Sequence, residues 1–162
     1  MSVRIGNGFD IHQFSEDPTR PLVLGGVLIE GEIGLRGHSD ADVIAHAVAE
    51  SLLGAAGLDD IGTLFPDTDE RWHGADSLVL LAECVRLVRA AGFVPVNVDC
   101  SVIAERPRLA PHKAAMQSGL SDVVGAPVTI KGRRAEQIGG LGRAEGIACL
   151  ASALIETDGD GS

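Results

Sequence analysis

Polar and apolar residues alternate with period two from Val94 to Ala104. Val96, Val98, Cys100 and Val102 take turns with Asn97, Asp99, Ser101 and Ile103, the clearest strand signal in the chain. Val3-Arg4-Ile5 alternates more briefly and predicts a short strand, after which Gly6 and Gly8 loosen the backbone. Leu22–Leu24 and Val27–Ile29 flank Gly25-Gly26, the pattern of a hairpin, with a Gly-rich loop from there to Arg36. Helical spacing takes over at Val43, Ile44, Ala47, Val48, Leu52 and Ala55. Ser39 is the expected N-cap of this helix, Asp42 sits three residues on as in a capping box, and Gly54 or Gly57 ends it. Asp76-Ser77 caps a second helix whose buried face is Leu80, Leu81, Cys84, Val85, Leu87 and Val88, stopped by Gly92. Pro111 suits the first turn of a third helix running to about Leu120. Val128–Lys131 and Ile147–Ile155 read as strands, the latter closing the fold.

Strands interleaved with helices predict an α+β chain. It is expected to be one domain over residues 1–155, with a mixed β-sheet and helices on one of its faces. The other face must also be covered, so sheets of several copies are expected to associate. Glu156 to Ser162 reads as a disordered acidic tail. The connection from Leu58 to Asp76 is long, but Ile61, Leu64, Phe65 and Trp72 make it too apolar for disorder. It is expected to be ordered and to line a site.

At 162 residues the chain is long enough to bury a core unaided. Its formal net charge of −10 argues against a general nucleic-acid binder, and 3% aromatic content without tyrosine argues against a base-stacking platform. A few local cations can still reverse the potential of one cleft for an anionic small ligand. Cys84, Cys100 and Cys149 are widely spaced in apolar runs and read as buried thiols in a reducing compartment. The N-terminus lacks a signal-peptide pattern and no apolar run is long enough to span a membrane, so a cytoplasmic protein is expected.

Candidate chemistry gathers in three stretches. In Gly8-Phe9-Asp10-Ile11-His12, an extended backbone would put Asp10 and His12 on one face. In Gly37-His38-Ser39-Asp40-Ala41-Asp42-Val43-Ile44-Ala45-His46, Asp42 and His46 are one helical turn apart. Asp10, His12 and His46 together form a plausible ligand set for one metal ion; a turn-forming Asp, a solvated His and a core His are the bland alternatives. Gly132 to Gly146 is Gly-rich and carries Arg133, Arg134 and Arg143, which suits a phosphate cradle or equally a mobile surface loop. His73 and His112 read as surface histidines.

The motifs Arg4–His12, Gly37–Val43, Asp60–Asp69 and Gly142–Ala148, in that order and over nearly the whole chain, resemble the 2-C-methyl-D-erythritol 2,4-cyclodiphosphate synthase family of the non-mevalonate isoprenoid pathway. The resemblance implies a homotrimer built around a sheet-lined axis, with active sites between neighbouring subunits. It also implies a reaction. The 2-phosphate of 4-diphosphocytidyl-2-C-methyl-D-erythritol 2-phosphate attacks the β-phosphate of the same molecule, and CMP leaves.

Carried over by position, Asp10, His12 and His46 match zinc ligands, and Asp10 and His12 also border the substrate. His38 and Ser39 match residues near the attacking phosphate, with His38 catalytic. Asp42 is the implied partner orienting a ligand. Asp60, Ile61, Gly62, Phe65, Pro66, Asp67, Thr68 and Asp69 match the methylerythritol pocket. Ala104, Pro107, Arg108, Leu109 and Ala110 match the cytidine loop. Glu136 matches the acid holding a second divalent cation, magnesium or manganese, at the diphosphate. Arg143 and Glu145 match residues near the trimer axis, where the family can bind an isoprenoid diphosphate, and Gly140 and Arg143 are counted with Arg133, Arg134 and Glu136 as substrate-binding.

The chain departs from the family in carrying Arg133-Arg134-Ala135 where threonines are usual, and Gly140-Leu141 where a Phe-Thr type pair is common. Arg134 then stands in for a hydroxyl and is counted with His38 as catalytic, because a charged donor holds a phosphate more strongly. The competing reading is a trimeric relative that binds a cytidine or isoprenoid diphosphate without fast turnover.

Overall fold

The computed structural model describes residues 1–159. In chain order it contains β1 (Val3–Gln13), β2 (Pro21–Leu24), β3 (Val27–Ile33), α1 (Val43–Ala56), α2 (Ile61–Leu64), a 3₁₀ turn (Glu70–Trp72), α3 (Ser77–Ala90), β4 (Phe93–Ile103), α4 (Lys113–Val124), β5 (Val128–Arg133), α5 (Gly139–Gly142) and β6 (Gly146–Thr157). Four strands form one mixed sheet in the order β1-β6-β4-β5, with β4 and β5 parallel and the other pairs antiparallel. The hairpin β2-β3 is a separate two-stranded sheet, not part of the single sheet expected. Its turn holds Gly25 at φ 56° and Gly26 at φ 75°, the left-handed pair that a two-residue hairpin turn needs.

Helices α1, α3 and α4 cover one face of the sheet. Leu52, Leu81, Met116, Leu120, Ile130, Ile147 and Ile155 are fully buried beneath and between them. The contact of α1 with β1 depends on two glycines. A Cβ on Gly8 would lie 2.0 Å from the Ala47 carbonyl oxygen, and one on Gly6 2.1 Å from that of Ser51. The glycines that suggested a loosened backbone instead stay in an eleven-residue strand and let the helix seat directly on it.

Several boundaries differ from expectation for identifiable reasons. Asp42, not Ser39, is the N-cap of α1, and Gly57 at φ 73° ends that helix. Pro111 precedes the N-cap His112 of α4, which continues to Val124 and ends at Gly125 in the left-handed region. A bulge between Pro95 and Asn97 shifts the phase of β4, so that Phe93 and Pro95 are buried before it and Val98, Cys100 and Val102 after it. Val96 is therefore left out of the helix-facing row. Strand β6 lies inside the sheet and runs two residues past Ile155, so Glu156 and Thr157 are ordered parts of it, while 160–162 lie outside the described residues. Cys84, Cys100 and Cys149 are buried free thiols, and burial pushes Cys84 up to about 12.

Among the described residues, none of the helices α1, α3 and α4 lies on the opposite face of the sheet. Its β1 and β6 half presents Val3, Ile5, Phe9, Ile11 and Leu150, each about half-exposed or more, with Ile5 at 77%. Its β4 and β5 half mixes Val94, Val96 and Ile103 with polar groups, Lys131 and Thr129 both bonding to Asp99.

Candidate functional site

Asp10 and His12 are i, i+2 on β1, so both side chains leave the strand on the side of α1. His46 comes from the second turn of α1 and meets them there. The Asp10 Oδ2 atom lies 3.0 Å from His12 Nε2 and 3.1 Å from His46 Nδ1, and the three potential ligand atoms lie within 4.8 Å of one another.

The proton positions follow from the partners on the far side of each ring. His12 Nδ1 is 2.8 Å from the Arg36 carbonyl oxygen, which can only accept, so Nδ1 carries the proton and Nε2 faces Asp10. His46 Nε2 is 2.8 Å from Ser77 Oγ, whose own proton goes to the Asp40 carboxylate. Nε2 of His46 is therefore the donor, and Nδ1 faces Asp10. Two imidazole lone pairs and a carboxylate oxygen converge on one point, an arrangement that only a cation or added protons can satisfy. The residues present thus fit a divalent metal with one acid and two imidazoles. Burial pushes Asp10 up, but hydrogen bonds and charge from His12 and His46 outweigh it and hold the carboxyl well below the usual range. Burial pushes His12 down, but its contact with Asp10 outweighs that and raises it.

The expected orienting role of Asp42 is not what the structure shows. Asp42 is fully buried and accepts four backbone N–H groups, from Gly25, Gly26, Ile44 and Ala45, at 2.7–3.1 Å. It ties the hairpin turn to the start of α1 and does not bond the His46 ring. The residues behind His46 are Ser77 and Asp40; the sequence reading took Ser77 as part of a helix cap and gave Asp40 no role of its own within its motif. Arg20 was also missed. Its guanidinium donates to the carbonyls of Leu35, Gly37 (3.1 Å) and Ser39 (2.6 Å), fixing the loop that carries His38 and Ser39.

Asp10, His12, His38, Ser39 and His46 share a cavity of about 230 Å³ with Ile61, Phe65, Asp67, Trp72 and Leu80. The long 58–76 connection therefore supplies one wall, held by the Phe65–Trp72 edge contact at 4.9 Å. Within this polar and apolar lining, His38 Nε2 and Trp72 Nε1 are buried with no hydrogen-bond partner. His38 also meets the ring of His73 edge-on at 5.0 Å, so His73 belongs to this neighbourhood. Asp60, Gly62, Pro66, Thr68 and Asp69 are not in the cavity lining. Asp60 caps α2 by accepting from Thr63, and Asp69 caps the 3₁₀ turn and pairs with Arg71 at 2.6 Å.

A second cavity, of about 390 Å³, is lined by Ala104, Pro107, Arg108, Leu109 and Ala110 together with Lys113, Arg133 and Arg134. It brings the predicted cytidine loop against the predicted arginines and concentrates four cations in an acidic chain. Arg106 anchors that loop from behind, reaching Glu32 at 3.0 Å and lying over the Phe14 ring. The two cavities share no lining residue. Gly140 lines other hollows, one of them with His12, while Arg143 is exposed and paired with Glu145. Glu136 is exposed at φ 52° and joins no cluster of potential ligands among the described residues.

A small α+β domain with a carboxylate–imidazole cation site and a separate cationic pocket defines the class, a candidate metal-dependent protein for phosphorylated ligands. The particular family follows from the comparisons: residues 3–156 match the YgbB family model, and the chain belongs to that family. A 2-C-methyl-D-erythritol 2,4-cyclodiphosphate synthase of Synechococcus sp. (strain CC9311) is 53% identical over 160 residues, covering 96% of this chain and 95% of the relative. Among solved structures, the bifunctional IspDF from Campylobacter jejuni superposes with a TM-score of 0.91 at 42% identity, covering 96% of this chain and 42% of that one. The CDP complex of IspF from Plasmodium falciparum gives 0.83 at 33% identity, covering 96% and 97%.

Proposed function

We propose that this chain is the enzyme that converts 4-diphosphocytidyl-2-C-methyl-D-erythritol 2-phosphate to 2-C-methyl-D-erythritol 2,4-cyclodiphosphate and CMP, an intramolecular phosphoryl transfer in isoprenoid biosynthesis. The observation that carries it is the convergence of Asp10, His12 and His46 at the edge of a cavity that also holds the partnerless Nε2 of His38. Asp10, His12 and His46 would hold a divalent cation, zinc in our reading, which when bound would supply Lewis acidity for the phosphoryl transfer.

The chain's own groups do the rest. His38 Nε2 is placed to donate to a phosphate oxygen as charge develops. Ile61, Phe65 and Trp72 exclude water and bound the carbon skeleton, with Asp67 as a polar contact; Asp60, Gly62, Pro66, Thr68 and Asp69 complete that loop around it. Ala104, Pro107, Arg108, Leu109 and Ala110 receive the cytidine, and Arg133 and Arg134 neutralise its diphosphate where hydroxyls are usual. Glu136 would hold magnesium or manganese only with substrate phosphate oxygens as its companions.

Because the cation site and the cationic pocket are distinct on one chain, a complete site is best made between neighbouring copies. The uncovered apolar face of β1 and β6 supplies a reason for such copies to associate, as a trimer in this reading. No helix among the described residues is long and apolar enough to cross a membrane.

The test is CMP release from purified protein given the substrate, zinc and Mg²⁺. Turnover that stops on chelation and in His46→Ala supports the assignment; no CMP from metal-loaded protein refutes it. The exposed Arg133-Arg134 pair favours one competing reading, a binding protein without turnover, which predicts tight CDP binding and no CMP in the same experiment.

A further inference from the structure

We infer that Ser77 and Asp40 are positioning residues of the cation site, a two-member relay whose hydrogen bonds fix His46 in the one tautomer able to ligate. The inference rests on the metal reading of Asp10, His12 and His46. His46 reaches Asp10 through Nδ1 at 3.1 Å, so Nδ1 is the atom that must stay free of a proton for a cation to be held. The opposite ring nitrogen, Nε2, lies 2.8 Å from Ser77 Oγ. Ser77 is 1% exposed, so water cannot substitute for it.

A hydroxyl has one proton to give, and the carboxylate of Asp40 claims it: Ser77 Oγ donates to Asp40 Oδ1, and Ser77 N–H donates to Asp40 Oδ2 at 3.0 Å. Asp40 itself is oriented by the Asp42 N–H at 3.1 Å. The direction of donation is thus set from the far end. Asp40 can only accept, Ser77 must turn its proton away from the ring, and the ring must donate from Nε2, leaving the Nδ1 lone pair aimed at the ligand cluster. Ser39 Oγ, 3.3 Å from the same Nε2, donates no such ordering because it is not tied to an acid. The relay joins three segments, the loop before α1, α1 itself and the first residue of α3.

Ligand-orienting partners of this kind typically change metal affinity about ten- to a hundredfold when removed. The two obvious variants act differently on the same device. Ser77→Ala removes the nearer acceptor for Nε2–H and leaves only Ser39 Oγ at 3.3 Å, which no acid orders, yet keeps the backbone N–H bond to Asp40 and the Asp76 cap of α3. Asp40→Asn keeps the hydroxyl, but the new amide can donate to Ser77 Oγ and turn the serine proton onto His46, forcing the proton to Nδ1.

The experiment is zinc affinity by chelator competition on the full chain, with the melting temperature of each zinc-free variant measured alongside. The zinc-loaded wild type is also examined by imidazole ¹⁵N NMR. Zinc binding at least about tenfold weaker in both folded variants, Asp40→Asn no milder than Ser77→Ala, supports the relay. So does an exchange-protected Nε2 proton on His46 in the wild type, which decides the matter even where a variant does not fold. Folded variants that melt lower but hold zinc as the wild type does would make Ser77 and Asp40 merely structural and overturn the inference. A zinc-loaded wild type ligating through Nε2 would do the same, whereas a wild type that takes up no zinc removes the metal reading itself and the relay with it.

Discussion

Asp40 and Asp42 stand two residues apart in one motif and serve different structures. Asp42 satisfies four backbone N–H groups at the junction of the hairpin turn and α1. Removing it leaves buried donors unpaired, so Asp42→Ala should cost at least about 3 kcal/mol in urea unfolding. Asp42→Asn should lose stability while the folded protein keeps its zinc affinity. His38 is predicted to act on rate: His38→Ala should lower kcat about a hundredfold or more, with CMP release as the readout and the metal retained.

The histidine–acid contacts also set opposite pH trends for stability and metal binding. Asp10 is depressed from 3.8, so its contribution is present above that value and is lost as pH falls through the lower folded one. His12 is raised from 6.5, so its contribution is full below 6.5 and lost as pH rises through the higher folded value. Metal-free protein should therefore lose stability from this site as pH is raised from 6.5 into the alkaline range, while zinc affinity climbs because the proton on His12 no longer competes. Parallel thermal scans and chelator titrations at several pH values check both slopes.

At the level of elements, the site exists because α1 lies close enough to β1 for His46 to reach Asp10. Gly8→Ala would set a Cβ 2.0 Å from the Ala47 carbonyl oxygen, a backbone atom that cannot step aside. The helix must then lift, costing at least about 3 kcal/mol and weakening zinc binding together with it, as melting and chelator competition would both record.

This contact also marks how far the sequence could be read. Period-two alternation located β4, helical spacing located α1 and α3, and the double glycine located the hairpin. β1 was read too short because Gly6 and Gly8 look like breakers when the helix above them is unseen. Val96 was placed in the buried row because a bulge leaves no trace in composition. Asp10 and His12 were legible as a pair, since i, i+2 on a strand is a local relation, whereas His46, 36 residues from Asp10, was tied to them as a zinc ligand by the resemblance. The partners behind His46 were not, because Asp40 and Ser77 lie 37 residues apart and meet only after α1 and α3 have packed together.

Among the described residues, the sheet has one face covered by helices and one left bare. An apolar stripe of Val3, Ile5, Phe9, Ile11 and Leu150 in a chain of net charge −10 fits burial against other copies better than exposure. For the trimer we propose, Phe9→Glu should lower the mass found by sedimentation velocity from three chains toward one and reduce CMP release in proportion. It should leave zinc binding by the isolated cluster largely intact, because all three ligands come from one chain.

The most direct test follows phosphorus itself. Phosphorus-31 NMR of the reaction of metal-loaded protein with 4-diphosphocytidyl-2-C-methyl-D-erythritol 2-phosphate should show the signals of a cyclic diphosphate growing in step with CMP. Substrate that persists unchanged, or a linear phosphate product in place of the ring, would contradict the cyclisation.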